Sequence, residues 1–286
     1  MAFKGFAVVL VLFAALAVVP PADAMGRPGV AALQVALRMR GLYGGDIDGY
    51  KGPLTTAAVK RFQRRNGLAV DGIVGPRTRA KLGRWARPRQ GSRLLWQGKR
   101  GWDVAAIQFR LAWRGFPSGP IDGWFGARTD TAVRRYQRFK HLFPDGIVGP
   151  VTFRALHSRP PRSPIGFGYP IRAGIGDRFG PRGNRFHTGV DFPAHFGAGV
   201  FAARSGRVRV ARWTAGGYGK LVVIGHRRRM RSFYAHLSRI HVRRGERVGF
   251  GDPIGSVGST GNSTGPHLHF ELRRRGAAVN PLPALR

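Results

Sequence analysis

The feature that most constrains the fold of this chain is an internal duplication without a gap. Val30–Gln34 (VAALQ) returns as Val104–Gln108 (VAAIQ), and each pair of equivalent residues lies 74 positions apart. Two Asp-Gly segments, 47–49 and 71–76, return at the same spacing. The chain therefore contains two units of one small fold, each shorter than that spacing.

The apolar pattern predicts three helices in each unit. Leu33 and Leu37, with Ala36 between them, form one stripe at helical spacing. A second stripe occurs in both units and consists of Ala58, Val59 and Phe62, then Ala132, Val133 and Tyr136. Predicted helix ends carry Gly41, Gly67 and Gly115, with His141 in the place of Gly67 in the second unit. Pro76 and Pro150 suit the first turn of a closing helix.

The two units resemble the bacterial peptidoglycan-binding domain, a small three-helix module. The matching pattern, D-G-x-x-G-x-x-T-x-x-A-V-x-x-F/Y-Q, begins at Asp48 and again at Asp122. The resemblance implies binding of wall peptide or glycan without catalysis. Asp-Gly pairs build tight turns whether or not a ligand is bound. We therefore interpret four aspartates as turn residues: Asp48, Asp71, Asp122 and Asp145.

Residues 1–24 are predicted to be a secretory signal peptide. Lys4 precedes an apolar run, residues 5–19, and Ala22-Asp23-Ala24 is a small-x-small cleavage site. The run is too short to span a bilayer comfortably, which favours export over a signal anchor. With no cysteine, the chain has neither a disulfide framework nor a lipid-modified cysteine. The predicted location is secreted or at the cell wall, extracellular or periplasmic, without stable membrane insertion after cleavage.

The charge of the chain predicts binding to polyanions. It carries 49 Lys and Arg against 13 Asp and Glu, a net charge of +36. Such a chain attracts nucleic acid, anionic lipid or the anionic groups of a bacterial wall. The export signal argues against nucleic acid, so the expected partners are peptidoglycan and, by charge, anionic wall polymers.

From residue 169 the pattern changes to short strands and glycine turns. Residues 207–210 alternate, residues 221–224 are a continuous apolar run, and residues 232–237 follow. Residues 245–249 and 252–255 are expected to form a further strand pair. Short strands without helical stretches between them predict an antiparallel β domain.

The predicted fold class is therefore multidomain, with two small all-α three-helix repeats followed by an antiparallel all-β domain. The repeats are assigned to residues 28–84 and 98–157, and the β domain to residues 169–286. An Arg-rich segment, 85–97, and a Pro-rich segment, 158–168, are predicted linkers.

Histidines in the β domain suggest a metal site. The alternation from His267 to Leu272 predicts a strand with His267, His269 and Glu271 on one face. Histidine is the commonest metal ligand, although two surface histidines would give the same pattern. His187 precedes Asp191 by four residues, about 13 Å in an extended strand, so the two share a metal only if the segment bends. Gly189 permits such a bend.

Three motifs, in this order, resemble those of the lysostaphin-type (LytM-like) zinc metallopeptidases, which cleave peptidoglycan. They are H-x-x-x-D at residues 187–191, YAHL at 234–237 and STGNSTGPHLHF at 259–270. The resemblance covers residues 169–282 and implies that zinc is held by His187, Asp191 and His269. It also implies that His236 and His267 assist catalysis. The basic turn 227–231 departs from the family's glycine-rich turn and bears on substrate entry.

The residue types agree with zinc chemistry. Two imidazoles and one carboxylate leave zinc with net positive charge and an open position for water or substrate. The metal lowers the pKa of bound water toward about 7 and polarises a carbonyl. Without an H-E-x-x-H helix, His236 and His267 are the candidates for general base and oxyanion stabiliser, with the two roles open between them. The same ligand types suit a non-haem iron oxygenase, but the repeats and the export signal disfavour that reading.

The sequence thus predicts a secreted, zinc-dependent endopeptidase that hydrolyses peptide bonds in peptidoglycan stem peptides or cross-bridges, with two repeats as wall anchors. The alternative is a catalytically silent wall-binding adaptor with a peptidase-like fold. His226 is a candidate for shaping the cleft, and Glu271 either orients a ligand or is a solvated strand-end carboxylate. Surface positions are expected for His141, His157, His195 and His241.

Overall fold

A computed structural model describes residues 25–83 and 90–286 of the chain. The predicted signal peptide, 1–24, lies outside the described residues, as do residues 84–89, which are the last residue of the first predicted repeat and the start of the first predicted linker.

The N-terminal part of the described chain consists of six helices, three in each repeat, as predicted. The first repeat contains α1 (Pro28–Arg38), α2 (Pro53–Arg65) and α3 (Pro76–Leu82). The second contains α4 (Trp102–Trp113), α5 (Ala127–Phe139) and α6 (Pro150–Ala155). Four of the six begin with proline, where the missing N–H would have no helical partner. None of these helices has the length and apolarity needed to cross a lipid bilayer.

Left-handed residues end the longer helices. Gly41, Gly67 and Gly115 have φ of 67°, 63° and 83°, in agreement with the predicted helix ends. His141 adopts the same conformation, with φ of 57°, in place of glycine. Histidine thus replaces glycine at this helix end without a change in backbone conformation.

A buried glutamine organises the first Asp-Gly turn. Gln34 Nε2 donates to Asp48 Oδ1 at 2.6 Å and to Thr55 Oγ1 at 3.1 Å. Gln34 Oε1 accepts from the N–H of Gly49 at 2.9 Å, and Asp48 Oδ1 also accepts from the N–H of Tyr50 at 2.8 Å. Both side chains are thus satisfied within the turn, which agrees with the interpretation of Asp48 as a turn residue.

The same arrangement occurs three more times. Its glutamine–aspartate pairs are Gln63–Asp71, Gln108–Asp122 and Gln137–Asp145. In each, the glutamine Oε1 accepts from the glycine that follows the aspartate. The four aspartates therefore share one structural role, and the glutamines that hold them were not identified from the sequence.

The C-terminal part is an antiparallel β domain, as predicted, with twelve strands in the described chain. Their bounds are β1 (Gly180–Arg182), β2 (Arg185–His187), β3 (Val190–Pro193), β4 (Gly199–Phe201), β5 (Gly206–Thr214), β6 (Gly219–Gly225), β7 (Met230–Leu237), β8 (Arg239–Ile240), β9 (Arg247–Val248), β10 (Pro253–Ser256), β11 (His267–Arg274) and β12 (Ala277–Val279). The main sheet has the order β12-β11-β7-β6-β5-β9, and β3 also pairs with β11.

Strand β11, next to the edge strand β12 of this sheet, carries the predicted histidine face. Its apolar residues Leu268, Phe270 and Leu272 are fully buried in the core of the β domain. Its other face carries His267, His269 and Glu271, as the alternation predicts. The register sets His269 opposite Asp191 of β3 on one side and opposite Ala235 of β7 on the other.

One expected strand pairing is wrong. Strand β9 pairs with β5, whereas β10 pairs with β4 and β8, so residues 245–249 and 252–255 do not pair with each other. The reason lies in the connection between them, where Gly251 donates to the carbonyl oxygen of Ala202 and Ala202 donates to that of Asp252. These bonds direct the two strands into different sheets instead of closing a hairpin.

Candidate metal centre

Three side chains from three strands meet at one point of the β domain. His187 Nε2 lies 3.1 Å from Asp191 Oδ1 and 3.0 Å from His269 Nδ1. Asp191 Oδ1 lies 2.7 Å from His269 Nδ1. All three residues are buried, and each offers one ligand atom to the group. The residues predicted to share a metal are therefore brought together.

The bend between His187 and Asp191 occurs at Thr188 and Gly189, which separate β2 from β3. Gly189 is not among the residues with positive φ. A Cβ atom there would lie 2.4 Å from the carbonyl oxygen of Phe270 and 2.8 Å from His269 Cε1. Glycine is thus needed here for the close approach of β11 and not for the backbone freedom that the sequence predicts.

In each imidazole of the cluster, the nitrogen that points away from Asp191, here called the outer nitrogen, already makes a hydrogen bond. His187 Nδ1 donates to the carbonyl oxygen of Arg178 at 2.9 Å, and His269 Nε2 donates to Glu271 Oε1 at 3.0 Å. When both imidazoles are neutral, their inner nitrogens carry lone pairs that face each other and the Asp191 carboxylate. Three acceptor atoms this close repel one another unless a proton or a metal ion lies among them. The donor set of two imidazoles and one carboxylate suits a divalent metal such as zinc.

The electrostatics of the cluster also favour a cation. Burial raises the pKa of Asp191, but hydrogen bonds with His187 and His269 outweigh it and hold that pKa below its ordinary value. Burial lowers the pKa of His269, but Asp191 and Glu271 overcome this and raise it to about 9. The two carboxylates thus favour positive charge at His269, and a metal ion satisfies the same requirement.

Glu271 is fully buried directly behind His269. Its carboxylate accepts hydrogen bonds from Tyr218 at 2.8 Å and Arg273 at 2.7 Å, and also from Thr188. Burial raises the pKa of Glu271, but Arg273 and His269 hold it below its ordinary value. Of the two readings open from the sequence, the solvated strand-end carboxylate does not apply. Glu271 fixes the ring of His269, as carboxylates beside metal-binding histidines do.

His236 and His267 lie beside this cluster. The ring centroid of His236 is 4.8 Å from that of His267 and 5.7 Å from that of His269. His236 Nδ1 donates to the carbonyl oxygen of Thr260 at 2.7 Å, and His267 Nδ1 donates to that of Gly265 at 2.8 Å. Each Nε2 is thereby left as the reactive nitrogen, and that of His267 lies 3.8 Å from Asp191 Oδ1.

His236 is held in an unusual state. Its φ of 62° is rare outside glycine, and such strain concentrates at functional sites. Burial lowers its pKa to about 4, so the imidazole is neutral at neutral pH and Nε2 carries a lone pair. This is the protonation state that a general base requires.

The cluster opens into a cleft of about 740 Å³. Its walls come from the β1–β2 region, the loop 216–218 and the loop 262–266 before β11. The basic turn 227–231, which the sequence connects with substrate entry, does not line this cleft. It lies at the start of β7, whereas His236 is near the end of that strand.

The prediction that His226 shapes the cleft is wrong for the same reason. His226 precedes β7, bonds the carbonyl oxygen of Ser205 and the hydroxyl of Ser232, and contacts the ring of Phe167. It lines a separate cavity with the basic turn. The four histidines expected at the surface are exposed: His141, His157, His195 and His241.

Comparison with known families gives two matches. Peptidase family M23 matches residues 185–281, which include the whole cluster. A peptidoglycan-binding domain matches residues 26–82 and 100–156, one copy for each helical repeat.

Curated relatives match mainly the C-terminal part. The chain is 47% identical over 98 residues to the DD-carboxypeptidase/endopeptidase Mpg of Neisseria meningitidis, covering 34% of this chain and 22% of that protein. It is 39% identical over 119 residues to the murein hydrolase activator EnvC of Escherichia coli, covering 41% and 28%. To the lipoprotein NlpD of Yersinia enterocolitica it is 42% identical over 92 residues, covering 32% and 94%. The chain spans about a fifth of the length of the first of these relatives.

Among solved structures, the catalytic domain of lysostaphin from Staphylococcus simulans is 35% identical, with a TM-score of 0.37, covering 39% of this chain and 90% of that one. The family match spans every strand that carries the cluster, and one relative is matched over nearly its whole length. The chain therefore belongs to peptidase family M23 and carries two peptidoglycan-binding domains before its peptidase domain.

Proposed function

We propose that this protein is a secreted, zinc-dependent endopeptidase that hydrolyses peptide bonds in bacterial peptidoglycan. In this proposal His187, Asp191 and His269 hold one zinc ion. The observation that carries it is the meeting of three possible ligand atoms, His187 Nε2, Asp191 Oδ1 and His269 Nδ1, within 3.1 Å of one another. The other nitrogen of each imidazole is already hydrogen-bonded.

When bound, zinc supplies a water of lowered pKa and polarises the scissile carbonyl. We assign to His236 the acceptance of the proton from that water, because its imidazole is neutral and Nδ1 is committed to the carbonyl oxygen of Thr260. His267 stands on the other side of the cluster with Nε2 toward Asp191. We assign it contact with the oxyanion of the tetrahedral intermediate.

The rest of the chain supports a wall substrate. Two peptidoglycan-binding domains precede the peptidase domain, and a relative from Vibrio cholerae that is 43% identical over 100 residues is a peptidoglycan DD-endopeptidase, ShyA. The net charge of +36 adds nonspecific attraction to anionic wall polymers. Export through residues 1–24 would bring the protein to this substrate.

A second candidate is a wall-binding adaptor without peptidase activity. The similarity to the murein hydrolase activator EnvC favours it. The presence of all three ligand atoms, with both neighbouring histidines and a buried Glu271 behind them, favours the enzyme.

Purified peptidoglycan separates the two candidates. The enzyme is expected to release new amino termini from sacculi, to stop when a chelator removes the metal, and to recover when zinc is added back. Mass analysis of the fragments identifies the bond that is cut. Unchanged sacculi, or release that persists without metal, would contradict the proposal.

A further inference from the structure

The β1–β2 hairpin forms one wall of the metal centre. It ends with His187, and its Arg182 Nη1 lies 3.5 Å from Asp191 Oδ2. The carbonyl oxygen of Arg178, just before the hairpin, accepts the His187 Nδ1 hydrogen bond at 2.9 Å. The position of this hairpin therefore sets the place and the tautomer of one proposed zinc ligand.

The two helical repeats hold the tip of this hairpin. The carbonyl oxygen of Gly183 accepts from the N–H of Ile47 at 2.9 Å, and that of Asn184 accepts from the N–H of Ile121 at 2.7 Å. Ile47 and Ile121 are equivalent residues of the two repeats. The N–H of Gly183 also donates to Asp46 Oδ1 at 2.7 Å. The duplication thus provides two matching donors for two consecutive residues of the hairpin.

Aromatic side chains anchor the base of the hairpin in the core of the repeats. The rings of Phe179 and Phe186 lie 6.4 and 5.3 Å from that of Trp113, at the end of α4. Both phenylalanines belong to the apolar cluster to which α1, α2 and α4 contribute. Phe186 directly precedes His187, so movement at this contact is passed to the ligand through one peptide unit.

A backbone contact brings the second repeat against the sheet itself. Ala278 of β12 donates to the carbonyl oxygen of Gly115 at 3.1 Å. A Cβ atom at Gly115 would lie 2.2 Å from the carbonyl oxygen of Ala278. Strand β12 pairs with β11, which carries His269. The repeats therefore contact the strand that carries His187 and the strand that pairs with the one carrying His269.

The equivalent surface of the first repeat makes no such contact. Gly41, the counterpart of Gly115, has φ of 67° and open space within 4 Å of an added Cβ. Met39, the counterpart of Trp113, is 56% exposed, whereas Trp113 is 6% exposed. The chain thus contains its own matched control for the docking surface.

From these contacts we infer that the helical repeats position His187 for metal binding, with Trp113 and Gly115 as positioning residues. This inference rests on the proposed zinc site. It gives the repeats a role beyond wall attachment, because they support the ligand from behind without lining the cleft. Residues that orient metal ligands from outside typically change metal affinity by about 10–100-fold when altered.

The test compares Gly115→Ala with Gly41→Ala in the full chain. Both substitutions place a side chain on a left-handed glycine, so both bear similar backbone strain. Only the first drives a methyl group into β12. Zinc affinity is measured by competition with a chromophoric chelator, and amide hydrogen exchange is followed at residues 180–187. Gly115→Ala is expected to weaken zinc binding about 10-fold or more and to speed exchange in the hairpin, while Gly41→Ala changes neither.

A second pair, Trp113→Ala and Met39→Ala, repeats the comparison without backbone strain. The visible spectrum of the cobalt-substituted protein reports the geometry of the site, and it should change only for Trp113→Ala. Faster hairpin exchange with unchanged zinc affinity and cobalt spectrum would overturn the inference, as would equal effects in both members of a pair. If the unaltered chain binds no zinc, the proposed metal centre itself is overturned and the inference falls with it, while hydrogen exchange still reports the docking of the hairpin.

Discussion

The aspartates of the helical repeats and Asp191 of the β domain have the same side chain in opposite surroundings. Each turn aspartate accepts hydrogen bonds from a glutamine amide and from a backbone N–H two residues on. Asp191 Oδ1 instead lies against two imidazole nitrogens, and the other nitrogen of each ring already donates to Arg178 or Glu271. A carboxylate enclosed by fixed amide donors is structural, whereas one that faces titratable imidazole nitrogens shares a proton or a metal ion with them.

The largest expected difference is between removing the carboxylate charge of Asp191 and removing that of a turn aspartate. Asp191→Asn should lower zinc affinity and peptidoglycan hydrolysis by more than about 100-fold, because loss of a direct ligand exceeds the loss of an orienting group. Asp145→Asn, in a turn of the second repeat, should leave both unchanged. Chelator competition and fragment release measure the two effects, and equal losses in both variants would remove the distinction.

The next effect separates chemistry from metal binding. His236→Ala should retain stoichiometric zinc but lose about 10²–10⁴-fold in kcat, because the proton of the attacking water then lacks its acceptor. Metal analysis and turnover of a soluble peptide substrate measure the two quantities. Loss of zinc in this variant would place His236 among the ligands instead.

The affinity of the centre for zinc should rise with pH. Neighbouring carboxylates raise the pKa of His269 to about 9, so below that pH the metal-free site holds a proton that zinc must displace. Displacement of one proton corresponds to about a tenfold gain in apparent affinity for each pH unit between 7 and 9. Competition titrations across this range would show a flat profile if His269 were already neutral.

The smallest expected effect concerns the turn aspartates and is a change in the free energy of unfolding. Gln63→Leu removes the donor to the exposed Asp71 and the acceptor for Gly72, leaving the buried N–H of Gly72 without its partner. It should lower the free energy of unfolding by about 1–3 kcal/mol. Gln97→Leu, at an exposed position, is the matched control. Denaturant titration measures both, and equal stability would mean that water replaces the glutamine.

Much of the centre was predictable from local patterns. Period-two alternation placed His267, His269 and Glu271 on one face, because successive side chains of a strand alternate. The position of Asp191 opposite His269 depends on the pairing of β3 with β11, which no local pattern encodes. The hydrogen bonds between the turn glutamines and their aspartates are not predictable from a local pattern, because each glutamine lies 8 or 14 residues before its aspartate.

The docking of the hairpin was equally hidden. Nothing in the local sequence of Phe179 and Phe186 distinguishes them from core residues of the β domain. The structure shows that they pack in the core of the repeats. The Pro-rich segment 158–168, predicted as a linker, is likewise held to both parts. Arg114 donates to the carbonyl oxygen of Ser158, and Phe167 bridges to Leu285. Such contacts join residues far apart in sequence, so composition alone does not reveal them.

Anomalous diffraction at the zinc edge from crystals of the zinc-loaded protein tests the central claim most directly. The account predicts one peak bonded to His187 Nε2, Asp191 Oδ1 and His269 Nδ1 at about 2.0–2.2 Å, with the outer nitrogens still bonded to Arg178 and Glu271. A peak at another position, coordination through an outer nitrogen, or no peak at saturating zinc would contradict it.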